Sequence, residues 1–203
     1  GQASAGSMAV GNDAWLAQLF TTGGNPQGYV LDSIELLMGP GSGSPSGFTV
    51  SIYDAAVRRA PRSNLGNLNG PSPSLGGIFT YTGSGITLSP NDDYFIVITS
   101  GTSIAEGSYN WEFANTTMAD SQGGWGPVNV YYSSANGSTW TGPFLQNPFQ
   151  FAINATAVPE PSTLALFSLG STALVWALRR RTRKGSRHSA SNMTHDGAAH
   201  RAD

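Results

Sequence analysis

The 203-residue chain has no cysteine, and its three histidines, His188, His195 and His200, all lie near the C-terminus. The first absence excludes disulfides, thiol catalysis and thiolate metal sites. The second denies the first 187 residues a Ser-His-Asp triad or a histidine-ligated metal, which removes the commonest hydrolase designs. Charge is sparse as well. Only 11% of residues are Asp, Glu, Lys or Arg, and the single lysine is Lys184. Before Val158 the basic residues are Arg58, Arg59 and Arg62, set against nine acidic residues between Asp13 and Asp120, a balance of −6; the remainder carries +4, so the overall −2 conceals two opposite halves. An acidic first part is unsuited to nucleic acid. No amphipathic helical period is found before residue 160, and no motif calls for a cofactor.

What is present there is alternation. Ile34, Leu36 and Met38, then Phe48, Val50 and Ile52, then Tyr109, Trp111 and Phe113 each interleave with residues of the opposite face, the pattern of half-buried strands. Tyr94–Thr99 is apolar on both faces and predicts a central strand, and Phe149, Phe151 and Ile153 predict a closing one. Trp15–Thr21, Ser63–Asn69, Ile78–Thr82 and Val128–Ser133 are further candidates. Gly, Pro, Asn and Ser clusters separate them, among them Gly23-Gly24-Asn25-Pro26, Ser89-Pro90-Asn91-Asp92 and Gly123–Pro127. The expected architecture is all-β, one antiparallel, jelly-roll-like β-sandwich over 12–157, preceded by an N-terminal remnant at 1–11. Gly1–Val10 has neither the basic start nor the apolar run of a signal peptide, so an export leader is expected to have been removed or to lie upstream.

The C-terminal part changes character. Leu164–Leu178 carries no charge; with its start at Ser162 it would span roughly 25 Å as a helix, slightly less than a hydrocarbon core of about 30 Å. The expectation is a single C-terminal transmembrane helix. Pro159 and Pro161 block its extension backwards, and Ser162 is placed to cap it. Arg179, Arg180 and Arg181, followed by Arg183 and Lys184, assign the far end to the cytoplasm and 12–157 to the outside. A buried core helix is disfavoured, because a cationic block closes so apolar a run; an ordinary unprocessed anchor is the other alternative. Thr182–Asp203 reads as a disordered polar tail.

The order Val158-Pro159-Glu160-Pro161, apolar helix, Arg179-Arg180-Arg181 resembles the PEP-CTERM sorting signal of Gram-negative bacteria, here 158–181. The resemblance implies an exported protein held in the inner membrane in transit. It implies handling by exosortase, a membrane enzyme, and delivery to the cell surface or the exopolysaccharide matrix.

A second likeness covers most of the preceding region. Gln18-Leu19-Phe20-Thr21-Thr22-Gly23, Leu31-Asp32-Ser33-Ile34-Glu35-Leu36, Phe48–Asp54, Leu88–Tyr94, Ser138-Thr139-Trp140 and Pro148–Ile153 are similar to the choice-of-anchor R domain of bacterial surface proteins. That family brings no catalytic residues.

Candidate sites must therefore come from the residues. Asp54, Glu106, Glu112 and Asp120 are the carboxylates available for glycoside hydrolysis. Asn91-Asp92-Asp93 offers oxygens but not a spaced calcium loop, and a β-turn is the better account. Arg58, Arg59 and Arg62 read as a solvated loop more readily than as an anion contact. Trp125, Tyr131, Tyr132 and Trp140 cluster near Gly-rich turns and could stack on a sugar, although core packing explains such residues equally well. The expectation is a non-enzymatic, structural surface or matrix protein; a carbohydrate-binding module is the alternative and a glycoside hydrolase the third.

Overall fold

The structure, a computed structural model, describes residues 3–56, 60–73, 75–115, 123–145 and 147–160. Among them are twelve strands and no helix: β1 Ser4–Val10, β2 Trp15–Thr21, β3 Tyr29–Gly43, β4 Thr49–Ala55, β5 Pro61–Leu68, β6 Gly77–Thr82, β7 Thr87–Leu88, β8 Asp93–Thr99, β9 Gly107–Ala114, β10 Gly126–Ser134, β11 Thr141–Leu145 and β12 Phe151–Ala157. The chain divides into two compact units, Gly1–Val158 and Pro159–Asp203. In the second unit only Pro159 and Glu160 are described, both exposed. The predicted helix Leu164–Leu178, Arg179–Arg181 and the tail Thr182–Asp203 lie outside the described residues, among which no helix is long and apolar enough to cross a membrane.

The first unit is the antiparallel sandwich that the alternation predicts. One sheet contains β1-β9-β3-β12, with β6 and β7 also paired to β3; the other runs β11-β10-β2-β8-β4-β5. Long β3 serves four partners along its length: Tyr29 and Val30 face β7, Ser33–Met38 face β6, Tyr29–Leu36 face β12 and Met38–Gly43 face β9. Only β4–β5 and β10–β11 pair as sequence neighbours; the other pairings join strands distant in the chain.

Alternation decides which atoms leave water. On β2, Leu16, Gln18 and Phe20 point between the sheets, and on β8 so do Tyr94, Ile96 and Ile98. They meet Leu31, Ile34, Leu36 and Met38 of β3 and Tyr109 and Trp111 of β9. Trp111 is fully buried, stacked on Phe149 at 4.5 Å and 16°, with its indole N–H donated to the Gln150 carbonyl at 3.1 Å. Each such aliphatic or aromatic side chain contributes about 1.5–3 kcal/mol by leaving water. The opposite faces of β2 and β8 bury a second cluster, Ala17, Leu19, Phe95 and Val97 with Tyr132, bordered by Trp15, Tyr53, Val130 and Trp140. Strand β8, apolar on both faces, is thus interior to its sheet and covered on both sides, as its sequence predicts.

Two elements depart from the sequence reading. Ser4–Val10, inside the stretch read as a remnant at 1–11, is β1 and pairs with β9. Its small Ser4-Ala5-Gly6-Ser7 start hides the alternation, and the register shifts between Ser4 and Gly6, leaving Met8 and Val10 as its apolar contribution. Thr141–Leu145, which is not among the predicted strands, forms β11 at the edge of the second sheet, a position where Pro143, lacking an N–H, is tolerated.

Candidate functional site

Strand β12 ends at Ala157, and the next residue, Val158, is still held by the domain. Its N–H donates to the Gly28 carbonyl at 3.0 Å, and its carbonyl accepts the Asn25 side-chain amide at 3.1 Å. That amide also donates to the Gly28 carbonyl, so Asn25 engages both ends of the contact. The Asn25–Gly28 turn is closed by a bond from the Gly28 N–H to the Asn25 carbonyl at 2.8 Å. Gly28 sits at φ 74°, and a Cβ there would lie 2.4 Å from the Leu88 carbonyl oxygen, so glycine is required. The backbone N–H of Asn25 donates to the Tyr29 hydroxyl at 3.0 Å, and the Tyr29 ring meets Trp125 edge-on at 4.8 Å. Half-buried Val158 is therefore tied to the core, while Pro159 and Glu160 are exposed. Pro161, Arg179, Arg180 and Arg181 lie outside the described residues.

The four aromatic candidates are not brought together. Trp125 packs against the inter-sheet core, stacked on Phe20 at 6.2 Å. Tyr131 and Tyr132 occupy opposite faces of β10, both buried: Tyr131 meets Phe144 at 5.0 Å and Phe149 at 5.3 Å, and Tyr132 meets Phe95 at 5.6 Å on the outer face. Burial raises the Tyr131 phenol above its ordinary range. Half-buried Trp140 reaches Tyr53 at 6.4 Å and 76°, although β4 lies four places from β11 in the sheet order; the ring is laid over the outer apolar cluster. The polar groups of its turn are engaged within the turn. Asn136 Oδ1 accepts the Ser138 and Thr139 amides, each at 2.9 Å, and the Ser134 hydroxyl donates to the Thr139 carbonyl at 2.7 Å.

The carboxylates are likewise distributed. Asp54 on β4 accepts the Arg62 guanidinium and the Ser63 amide, and the Arg62 hydrogen bond leads the causes that lower its pKa. Glu106, in the loop before β9, accepts the Ser103 amide and hydroxyl at 3.3 and 3.1 Å. Glu112 on β9, in the other sheet, accepts the Ser4 hydroxyl. Asp120, Arg58 and Arg59 lie outside the described residues. Pro90-Asn91 forms a turn with Asn91 at φ 52°, and the carboxylates that follow serve it: Asp92 accepts the Asp93 amide and Asp93 accepts the Thr21 hydroxyl. Among the described residues, no group of three or more His, Cys, Asp or Glu is arranged to hold a metal ion.

Two polar residues that sequence reasoning passed over prove central. Asn25 is visible only as part of a turn cluster, with nothing to connect it to Val158. Gln18, embedded in an apolar strand, is fully buried; its amide donates to the Val128, Val130 and Leu19 carbonyls at 2.7, 3.1 and 3.0 Å, and its oxygen accepts the Phe149 amide at 2.9 Å. A polar residue on the core face of a strand was the one signal available for it.

Residues 157–181 match the PEP-CTERM protein-sorting motif. No curated protein and no solved structure matches the chain. PEP-CTERM signals are recognised by exosortase, a membrane enzyme, and the motif indicates an exported protein sorted by it.

Proposed function

We propose that the chain is a structural, non-enzymatic component of the bacterial surface or exopolysaccharide matrix, its sandwich being of the choice-of-anchor R type. In this reading Leu164–Leu178 holds the precursor in the inner membrane, Arg179–Arg181 keep the far end cytoplasmic, and exosortase processes the signal outside. The observation that carries the reading is the sorting motif at 157–181 joined directly to an all-β domain. The engagement of Asp54, Glu106 and Glu112 in hydrogen bonds within the fold supports a structural role over catalysis.

Fractionation of full-length protein in a Gram-negative host with and without exosortase tests this. The precursor should travel with membranes, expose the sandwich to external protease and be converted only where exosortase is present. Uncleaved chain in the soluble cytoplasm would refute the localisation, and turnover of a glycoside abolished by one carboxylate substitution would refute the non-enzymatic role.

The second reading is a carbohydrate-binding module, favoured by half-buried Trp140 beside Tyr53 on an outer sheet face. Glycan binding that Trp140→Ala abolishes with the fold intact would establish it.

A further inference from the structure

The sorting motif begins inside the sandwich, since its first residues, Ala157 and Val158, are the end of β12 and the residue held by Asn25 and Gly28. We infer that Asn25 is a latch that fixes where the chain leaves the domain and so confines the segment a processing enzyme can engage to the residues after Val158. The inference rests on the exosortase reading above and adds a residue, outside the motif, that positions its substrate.

A peptide-cleaving enzyme binds its substrate as an extended strand whose backbone groups are free to pair with the enzyme. Through Ala157 the chain is held in the sheet along one edge by β3, with Thr156 opposite Val30 and Ala157 opposite Tyr29, so it cannot be drawn into an enzyme cleft without breaking that pairing. At Val158 both the N–H and the carbonyl are engaged. Pro159 and Glu160 are exposed, and the latch leaves no residue between the last clamped position and the first proline of the Pro-Glu-Pro triplet. Asn25 suits this role because its two amide hydrogens reach two carbonyls on different segments, Gly28 and Val158, 133 residues distant from it in the latter case. The turn that carries it is itself tied to the core through Tyr29. A strand end would otherwise fray, terminal hydrogen bonds being the first to open.

The test uses the full-length chain in membranes, as wild type, as Asn25→Ala and as Asn25→Asp, the last keeping the shape while removing both donors. A fourth protein inserts a four-residue Gly-Ser linker between Val158 and Pro159. Three readouts are taken, all by mass spectrometry: the C-terminal residue left after proteinase K digestion, hydrogen exchange at the Val158 amide, and the processed terminus and conversion rate in an exosortase-bearing host. In wild type both termini should lie at or beyond Val158. Both Asn25 variants should be trimmed into Ala155–Ala157 by proteinase K, with exchange of the Val158 amide about tenfold faster, as the loss of one to two hydrogen bonds implies. In the host they should yield ragged termini and faster conversion, and the linker protein should be converted at the faster rate with Asn25 intact. Unchanged proteinase K termini would show that Asn25 holds nothing. Trimming without altered host processing would show a structural bond irrelevant to the enzyme, and would equally overturn the inference. Failure of wild type to be processed at all, with trimming altered as expected, would instead sink the exosortase reading and the inference with it. Should Asn25→Ala fail to fold, Asn25→Asp and the linker protein decide.

Discussion

Replacing Gln18 by leucine tests the most polar point of an otherwise apolar core. Opposite Gln18 the β2–β10 register slips: Phe20 faces Pro127 and Gln18 faces Tyr131, so four steps on β10 match two on β2. The surplus residues turn carbonyls away from the ladder, and the Gln18 carboxamide substitutes for the missing strand by donating to Val128 and Val130 while accepting from Phe149. Leucine has nearly the same size but restores none of these bonds. It leaves four backbone groups, the Leu19, Val128 and Val130 carbonyls and the Phe149 amide, without this partner, at about 1–3 kcal/mol for each that finds no other, so an aggregate loss of about 4 kcal/mol is expected after partial relaxation. Against a total of about 5–15 kcal/mol for a domain, this is a large fraction. With the chain truncated after Glu160, a urea slope of about 2 kcal/mol per molar turns that loss into a midpoint about 2 M lower. Gln18→Glu supplies the complementary signature. Its ionised carboxylate would face two carbonyls, so its pKa in the folded state should rise above the unfolded value of about 4.3, and stability should be retained at acid pH and lost as pH climbs through the raised value. A Gln18→Leu midpoint within 0.5 M of wild type, an approximate bound on the same slope, would refute the reasoning by showing that the bulge satisfies itself.

Two further outcomes follow from burial. Burial raises the phenols of Tyr53, Tyr81 and Tyr131 above the ordinary value, so unfolded chains lose these protons first; stability should hold below about pH 10 and decline as pH rises beyond it, and ultraviolet titration should show these three phenols ionising late or only with unfolding. Ionisation of Tyr53, Tyr81 and Tyr131 near pH 10 in a still-folded domain would contradict this. The Tyr53–Trp140 edge contact should give a coupling of about 1 kcal/mol in a double-mutant cycle of Tyr53→Leu and Trp140→Leu, and a coupling near zero would show that Trp140 covers the outer face without depending on Tyr53.

Much of this molecule was determined by local sequence. A side-chain period of two marks Ile34–Met38 and Tyr109–Phe113, and a run apolar on both faces marks Tyr94–Thr99, as strands without reference to anything distant, and all three lie within strands. The Pro-Glu-Pro, apolar run and arginine block form a linear address whose parts are contiguous, so the motif at 157–181 was equally legible. Where side chains are small or a proline intervenes, the signal is weak: Ser4–Val10 and Thr141–Leu145 become strands because β9 and β10 supply the partners their own residues do not announce. Tertiary structure alone decided which faces the aromatic residues occupy. Tyr131 and Tyr132 are adjacent in sequence, yet the pleat sends one between the sheets and the other to the opposite surface, so residues close along the chain do not form one site. It also decided the roles of Gln18 and Asn25, whose partners lie more than a hundred residues away. Sequence reports what a residue can donate or accept; only the fold brings it the unpaired backbone groups that need it.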